Sequence, residues 1–172
     1  MSTLSQRMIG AAKLDITTYE EVEADTNATG QAMMVVVLSS IAQGIGMGAG
    51  AGLITVAIVA LIGWFTWAVT VYIIGTKLLP EPQTHSDMGE LLRTIGFSAS
   101  PGLLQVLGVI PLMGGLIIYA SNIWMLIAMV IAVRQALDYQ STGRAIGVCV
   151  IGWVARAFVI VILLMTMGVS PS

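Results

Sequence analysis

Beyond Gln31 the chain is apolar over long stretches, and its polar interruptions divide it into elements. A transmembrane helix needs about 20 apolar residues to cross a ~30 Å hydrocarbon core. Residues 30–75 are too many for one span and suit two, about 30–47 and 53–75, with "GIGMGAGAG" (44–52) as the turn of a tight helical hairpin. Pro80 and Pro82 end the second span. Residues 76–94 form the longest polar stretch after the N-terminus. Within it Ser86 or Asp87, with Glu90, can cap a new helix. Met88, Leu91, Leu92 and Ile95 recur at i, i+3, i+4 and i+7, which predicts an amphipathic surface helix feeding the membrane. A third span covers about 96–112, and Ser100-Pro101 reads as a fresh N-cap and N1, so a break is expected where it enters. After a turn at Pro111–Gly115, a fourth span covers about 115–135 and a fifth about 145–168.

Residues 1–29 have a mixed pattern and form a cytoplasmic N-terminal region ahead of the membrane domain at 30–168. Leu4, Met8, Ala11 and Ala12 recur at helical spacing beside Arg7 and Lys13, which predicts a short interfacial amphipathic helix. Thr17 with Glu20, or Thr18 with Glu21, fits a capping box opening a second one.

Composition agrees. The chain has 172 residues, 57% hydrophobic and 9% charged, against about 25% charged in soluble domains. An all-α polytopic membrane bundle is the fold class this implies. The formal net charge of −2 leaves no nucleic-acid footprint. Cys149 is the only cysteine, so no intrachain disulfide or multi-thiolate metal site forms. No apolar h-region occupies the first 25 residues, so no cleavable signal peptide is expected.

Charge also orients the five spans. With the N-terminus in the cytoplasm, Arg7, Lys13, Lys77, Arg93, Arg134 and Arg144 all fall on the cytoplasmic side, and the outer turns carry no Lys or Arg. This is the positive-inside pattern, N-in and C-out, in the cell's inner membrane. A four-span alternative with a re-entrant third segment scatters the basic residues over both faces. Asn27-Ala28-Thr29 matches a glycosylation sequon on the wrong side for it.

Candidate chemistry is sparse. The alternating glycines at 44–52 lack the strand a phosphate loop requires, and read as a turn with small-xxx-small contacts. His85 is the only histidine and lies in a loop, so hydrolytic triads and His-rich metal or haem sites lack parts. No catalytic residue, metal ligand or cofactor is expected. Glu20, Glu21, Glu23 and Asp25 read as a solvated helix face. Trp64, Trp67, Trp124 and Trp153 fall near mid-span rather than in the interfacial belts, which points to helix–helix packing.

Arg156 lies in the unbroken apolar run "IGWVARAFVIV", and no acid follows Asp138. Counting ~1.5 Å per residue puts it near mid-depth, where an arginine costs about 2.5–3.5 kcal/mol on insertion scales. It must face protein or water. Ser39 and Ser40 of the first span, Gln105 of the third and Asn122 of the fourth lie at similar depth, and Trp153 lies one turn away. The expectation is a small polar layer of Arg156, Trp153, Asn122, Gln105 and Ser40. A lipid headgroup or partner carboxylate on Arg156, and snorkelling to an interface, are the alternatives. Arg156→Leu is then expected to loosen the bundle or lose a partner.

Three stretches, "YEEVEADTNATGQAMMVVVLSSIAQGIG" (19–46), "GELLRTIGFSASPGLLQVLGVIPLMG" (89–114) and "IWMLIAMVIAVRQALDYQSTGRAIGVCVIGW" (123–153), resemble the Yip1 family in its bacterial branch, over about Asp15 to Met165. The resemblance implies five spans with the N-terminus inside and the C-terminus outside. Eukaryotic members contact small GTPases through a long cytoplasmic N-terminal region. This chain's N-terminus is short and lacks an Asp-Leu-Tyr-Gly-Pro-type motif, so no GTPase partner is carried over. The expected function is a non-enzymatic protein that organises membrane or scaffolds a partner. An accessory subunit of a larger membrane complex, and a transporter or channel lined by the Arg156 layer, are the alternatives. The lipid bilayer, with a membrane-protein partner or further copies of the chain, is the expected company.

Overall fold

The computed structural model describes residues 2–48 and 52–166, with side chains as far as Phe158. The described residues form α-helices with one 3-10 segment and no strand. The helices are α1 (Leu4–Ala12), α2 (Ile16–Ala24), α3 (Ala28–Gly46), α4 (Leu53–Ile73), α5 (Met88–Phe97), α6 (Gly114–Ala136) and α7 (Thr142–Thr166). Ile74–Leu78 extends α4 by a π-helical turn, and Ser100–Val109 is the 3-10 segment between α5 and α6.

Local chemistry sets the helix starts. Thr3 and Gln6 form a capping box on α1, and Asp87 and Glu90 form one on α5. The start of α2 differs from expectation. Asp15 is its N-cap, accepting from the Thr17 backbone N–H at 3.1 Å and from the Thr17 and Thr18 hydroxyls. A carboxylate two residues upstream captures the hydroxyls that the sequence offered as caps.

Three helices are long and apolar enough to cross a membrane: Ala28–Gly46, Leu53–Leu78 and Gly114–Ala136. They cover the first, second and fourth expected spans. The fifth expected span corresponds to α7, and its last two residues, 167 and 168, lie outside the described residues. So does 49–51 of the glycine turn, where Gly48 closes α3 with φ +74.

The third expected span is not one α-helix. It is the C-terminal part of α5, a bend at Ser98–Ala99, and the ten-residue 3-10 segment. Ser100 is not its N-cap: the hydroxyl turns back to donate to the Phe97 carbonyl at 2.7 Å, and Ala99 takes the cap position. At ~2.0 Å per residue, ten residues of 3-10 helix advance about 20 Å, against about 15 Å as an α-helix.

Glycines let this thin segment wedge between α3 and α6. A Cβ on Gly46 would sit 1.9 Å from the Gln105 carbonyl oxygen, and one on Gly114 would sit 1.9 Å from the Gly108 carbonyl oxygen. In lipid the hydrophobic effect does not drive helices together, so backbone approach of this kind carries the association.

A second layer packs beside these helices. Tyr19 and Val22 of α2, Phe97 of α5, Val35 of α3 and Ala132 of α6 are fully buried in one cluster. Trp67, Val71, Leu91, Val133, Leu137 and Val148 form another, joining α4, α5, α6 and α7. Thus α1, α2 and α5 are docked against the longer helices, and the N-terminal helices are structural parts rather than loose interfacial ones.

Candidate functional site

The polar residues that the sequence placed at one depth separate in three dimensions. Gln105, 1% exposed, donates through Nε2 to Asn122 Oδ1 at 3.0 Å. This bridges the 3-10 segment to α6. Ser39 donates to the Ala99 carbonyl at 2.8 Å, tying α3 to the bend. Ser40 turns back on its own helix, donating to Val37 O at 2.8 Å. Gln105 Oε1 is buried and receives no hydrogen bond. It lies on a cavity of about 130 Å³ shared with Ser39, Ser40 and Gln43, which has the size and polarity to hold water.

Arg156 does not join this group. The ion pairs among the described residues belong to Arg7 and Arg144, and the amide pair closes without a guanidinium. Equal depth was the wrong criterion, because depth along a helix does not fix rotation about its axis. Arg156 instead stands exposed at the rim of a second cavity, about 320 Å³, lined by Trp64, Trp67, Ser98, Met129 and Trp153 among others. Trp153 is 50% exposed on the same helix. On the outer side, Arg156 and Ala155 close a groove of about 370 Å³ whose α4 wall is Val59, Ile62, Gly63, Thr66, Trp67 and Thr70. So of the five expected layer residues, the structure brings together Gln105 and Asn122, puts Ser40 on the adjoining cavity, and places Arg156 and Trp153 on the open side.

The tryptophans act as expected in three cases out of four. Trp64 Nε1 donates to Leu92 O at 3.1 Å and Trp67 Nε1 to Met129 Sδ at 3.3 Å. Trp124 Nε1 donates to Ala12 O at 2.8 Å and so fastens α1 to the middle of α6. Trp153 has no such bond among the described residues.

Sequence reading missed the two arginines that are buried and satisfied, Arg7 and Arg93. Arg7, 2% exposed, donates to Glu21 Oε1 at 2.9 Å, Asp25 Oδ2 at 2.7 Å and Gln31 Oε1 at 3.0 Å. The signal was present: Arg7 shares the stripe of Leu4, Met8 and Ala11, the face that packs inward. Glu21 and Asp25 are therefore ion-pair partners, not a solvated face. The Ser2 hydroxyl and then Arg7 hold the Glu21 carboxyl below its ordinary range, and Arg7 does the same for Asp25. Arg93, 5% exposed, donates Nε to the Val22 and Glu23 carbonyls at 3.0 Å each, and Nη2 also reaches Glu23 O. Burial first, then the neighbouring charges of Glu90 and Asp138, pushes the Glu23 carboxyl up to about 7.

The described residues form a bundle of apolar helices with a docked N-terminal layer and an open, arginine-bearing side, and no three His, Cys, Asp or Glu among them are grouped to hold a metal ion. No curated protein and no solved structure matches the chain. The family model of the Yip1 domain matches residues 18–164, from the first turn of α2 nearly to the end of α7. The match covers most of the 172 residues, and the chain belongs to the Yip1 family.

Proposed function

We propose that this chain is a non-enzymatic multi-pass protein of the bacterial inner membrane that organises membrane or scaffolds a partner. Five membrane segments are formed by α3, α4, the α5/3-10 unit, α6 and α7, with the N-terminus in the cytoplasm and the C-terminus outside. The positive-inside distribution of Lys and Arg supports that orientation.

One observation carries the scaffold reading. The molecule satisfies its polar groups thoroughly in the cytoplasmic layer, yet leaves Arg156 and Trp153 open along one membrane-facing side. An intramembrane charge is costly unless something faces it, so that side is where company is required. The accessory-subunit reading rests on the same side and differs in whether the complex is obligatory.

Purification from native membranes in a mild detergent, with mass spectrometry of the co-purifying chains, tests this. A stable partner in fixed ratio supports the scaffold or subunit reading. A chain that purifies alone and carries solute flux in proteoliposomes overturns it in favour of transport.

A further inference from the structure

Arg156 poses a specific matching problem. It lies about 20 Å along α7 from Thr142, between the apolar residues Ala155 and Ala157. It lines the α4–α7 groove and has no hydrogen-bond or ion-pair partner among the described residues.

Three occupants can be compared by charge and reach. A second copy of this chain does not supply the counter-charge. All nine acids lie at or before Asp138, and none falls in α3, α4, the 3-10 segment, α6 or α7. Two copies packed through this groove would bring guanidinium against guanidinium. Counted from Ala145, where the expected span begins, Arg156 lies about 17 Å deep, so a lipid phosphate at either edge of a ~30 Å core is about 13 Å or more away, beyond the length of an arginine side chain. A carboxylate carried at mid-span by another protein's helix sits at the right depth and has the right charge and planar geometry for a bidentate pair.

The groove also has the shape for a helix. Gly63 faces open space, with no atom within 4 Å of a Cβ built on it, and Thr66, Thr70 and Ala155 beside it are small. Small residues are what permit close backbone approach in membranes. We propose that the α4–α7 groove is a docking site for a transmembrane helix of a different protein bearing an Asp or Glu near its middle, paired with Arg156. This rests on the scaffold reading above and names its partner's chemistry.

The test uses the full chain in phosphatidylcholine vesicles and a synthetic Leu/Ala helix of about 20 residues with a central Asp. Association is read by energy transfer at about pH 8, where a carboxyl paired with arginine is ionised. The Asp helix should associate about tenfold more tightly than the same helix with a central Leu, the scale of one desolvated charge pair. Arg156→Leu should abolish the preference, Arg156→Lys should keep part of it, and Gly63→Leu should weaken binding of both helices. Equal binding of the two helices, or a preference that survives Arg156→Leu, overturns the proposal. So does loss of the preference on adding phosphatidylglycerol, which would make the site one for a lipid anion. If a native complex survives Arg156→Leu and the peptides show no preference, this inference fails while the scaffold reading stands. If the chain purifies alone yet prefers the Asp helix, the reverse holds.

Discussion

Arg7 and Arg156 occupy opposite situations in one molecule. Arg7 is almost fully buried among Glu21, Asp25 and Gln31, and its partners come from α2 and α3 of the same chain. Arg156 stands on the open side of α7 among Gly63, Thr66 and Trp67, and the chain offers it no acid. The contrast separates a region whose polar accounts close internally from one that requires another molecule. It also separates two ways of packing: Tyr19 and Phe97 close an apolar cluster around α2 and α5, whereas backbone approach at Gly46 and Gly114 brings the 3-10 segment against α3 and α6.

The comparison can be broken most severely at the glycine wedge. Gly46→Ala places a methyl group 1.9 Å from the Gln105 carbonyl oxygen, and the obstacle is backbone, which cannot swing aside. We expect a loss of about 3 kcal/mol or more, the upper range for overpacking, read as a lowered unfolding midpoint in detergent. A neutral result would mean that α3 and the 3-10 segment are not held as closely as described.

Next comes Arg7→Ala. It strands Asp25, whose side chain is 16% exposed, beside Glu21, which is 39% exposed. Because both carboxylates retain some water, the expected loss is about 2–3 kcal/mol, below the range for a fully buried pair. Faster hydrogen exchange should be confined to α1 and α2. If exchange accelerates equally in α6 and α7, the two regions are one cooperative unit and the division fails.

Acidity sharpens the contrast from another side. Glu23 has its pKa raised from 4.5 to about 7, so the folded layer binds a proton more tightly than the unfolded chain. That contribution to stability is complete below about pH 4.5 and is lost as pH rises through about 7. Glu23→Gln should flatten the unfolding midpoint across that window, while Arg156 variants leave the slope unchanged.

Arg156→Leu should have the smallest effect on the isolated chain. It removes a charge that makes no bond among the described residues, so stability should stay within about 1 kcal/mol of wild type or rise. A loss beyond about 2 kcal/mol would show that the guanidinium is held inside the bundle after all, and would erase the distinction from Arg7.

Much of the architecture was legible because punctuation in the sequence was strong. Pro80 closes α4, Asp87 and Glu90 open α5, and Met88, Leu91 and Ile95 mark its inward stripe. The 3-10 segment was not legible, because an apolar run around Pro101, Gly102 and Gly108 gives the same pattern for either helix type. The segment packs closely between α3 and α6, with Gly46 and Gly114 at the points of nearest backbone approach, and contacts of that kind are not written in a local pattern. At the α2 start, Asp15, Thr17 and Thr18 were all competent caps, and the carboxylate won by accepting from both threonines. The candidate site divides in the same way. Gln105 and Asn122 share a depth and do meet. Arg156, which a residue count assigns the same depth, does not meet them and instead lines a cavity with Trp64, Trp67 and Met129, since a residue count gives height along an axis and no azimuth.

The bond from Trp124 to Ala12 joins residues 112 positions apart. At about 5–20 residues per second, ribosomes take roughly 6–22 s to travel that distance. During synthesis, then, α1 is made long before the surface it rests on exists, and Tyr19 must wait similarly for Phe97 and Ala132. This helix, made well before the surface it rests on, is among the last elements to find its place, and for those seconds its apolar stripe is available to whatever attends the nascent chain.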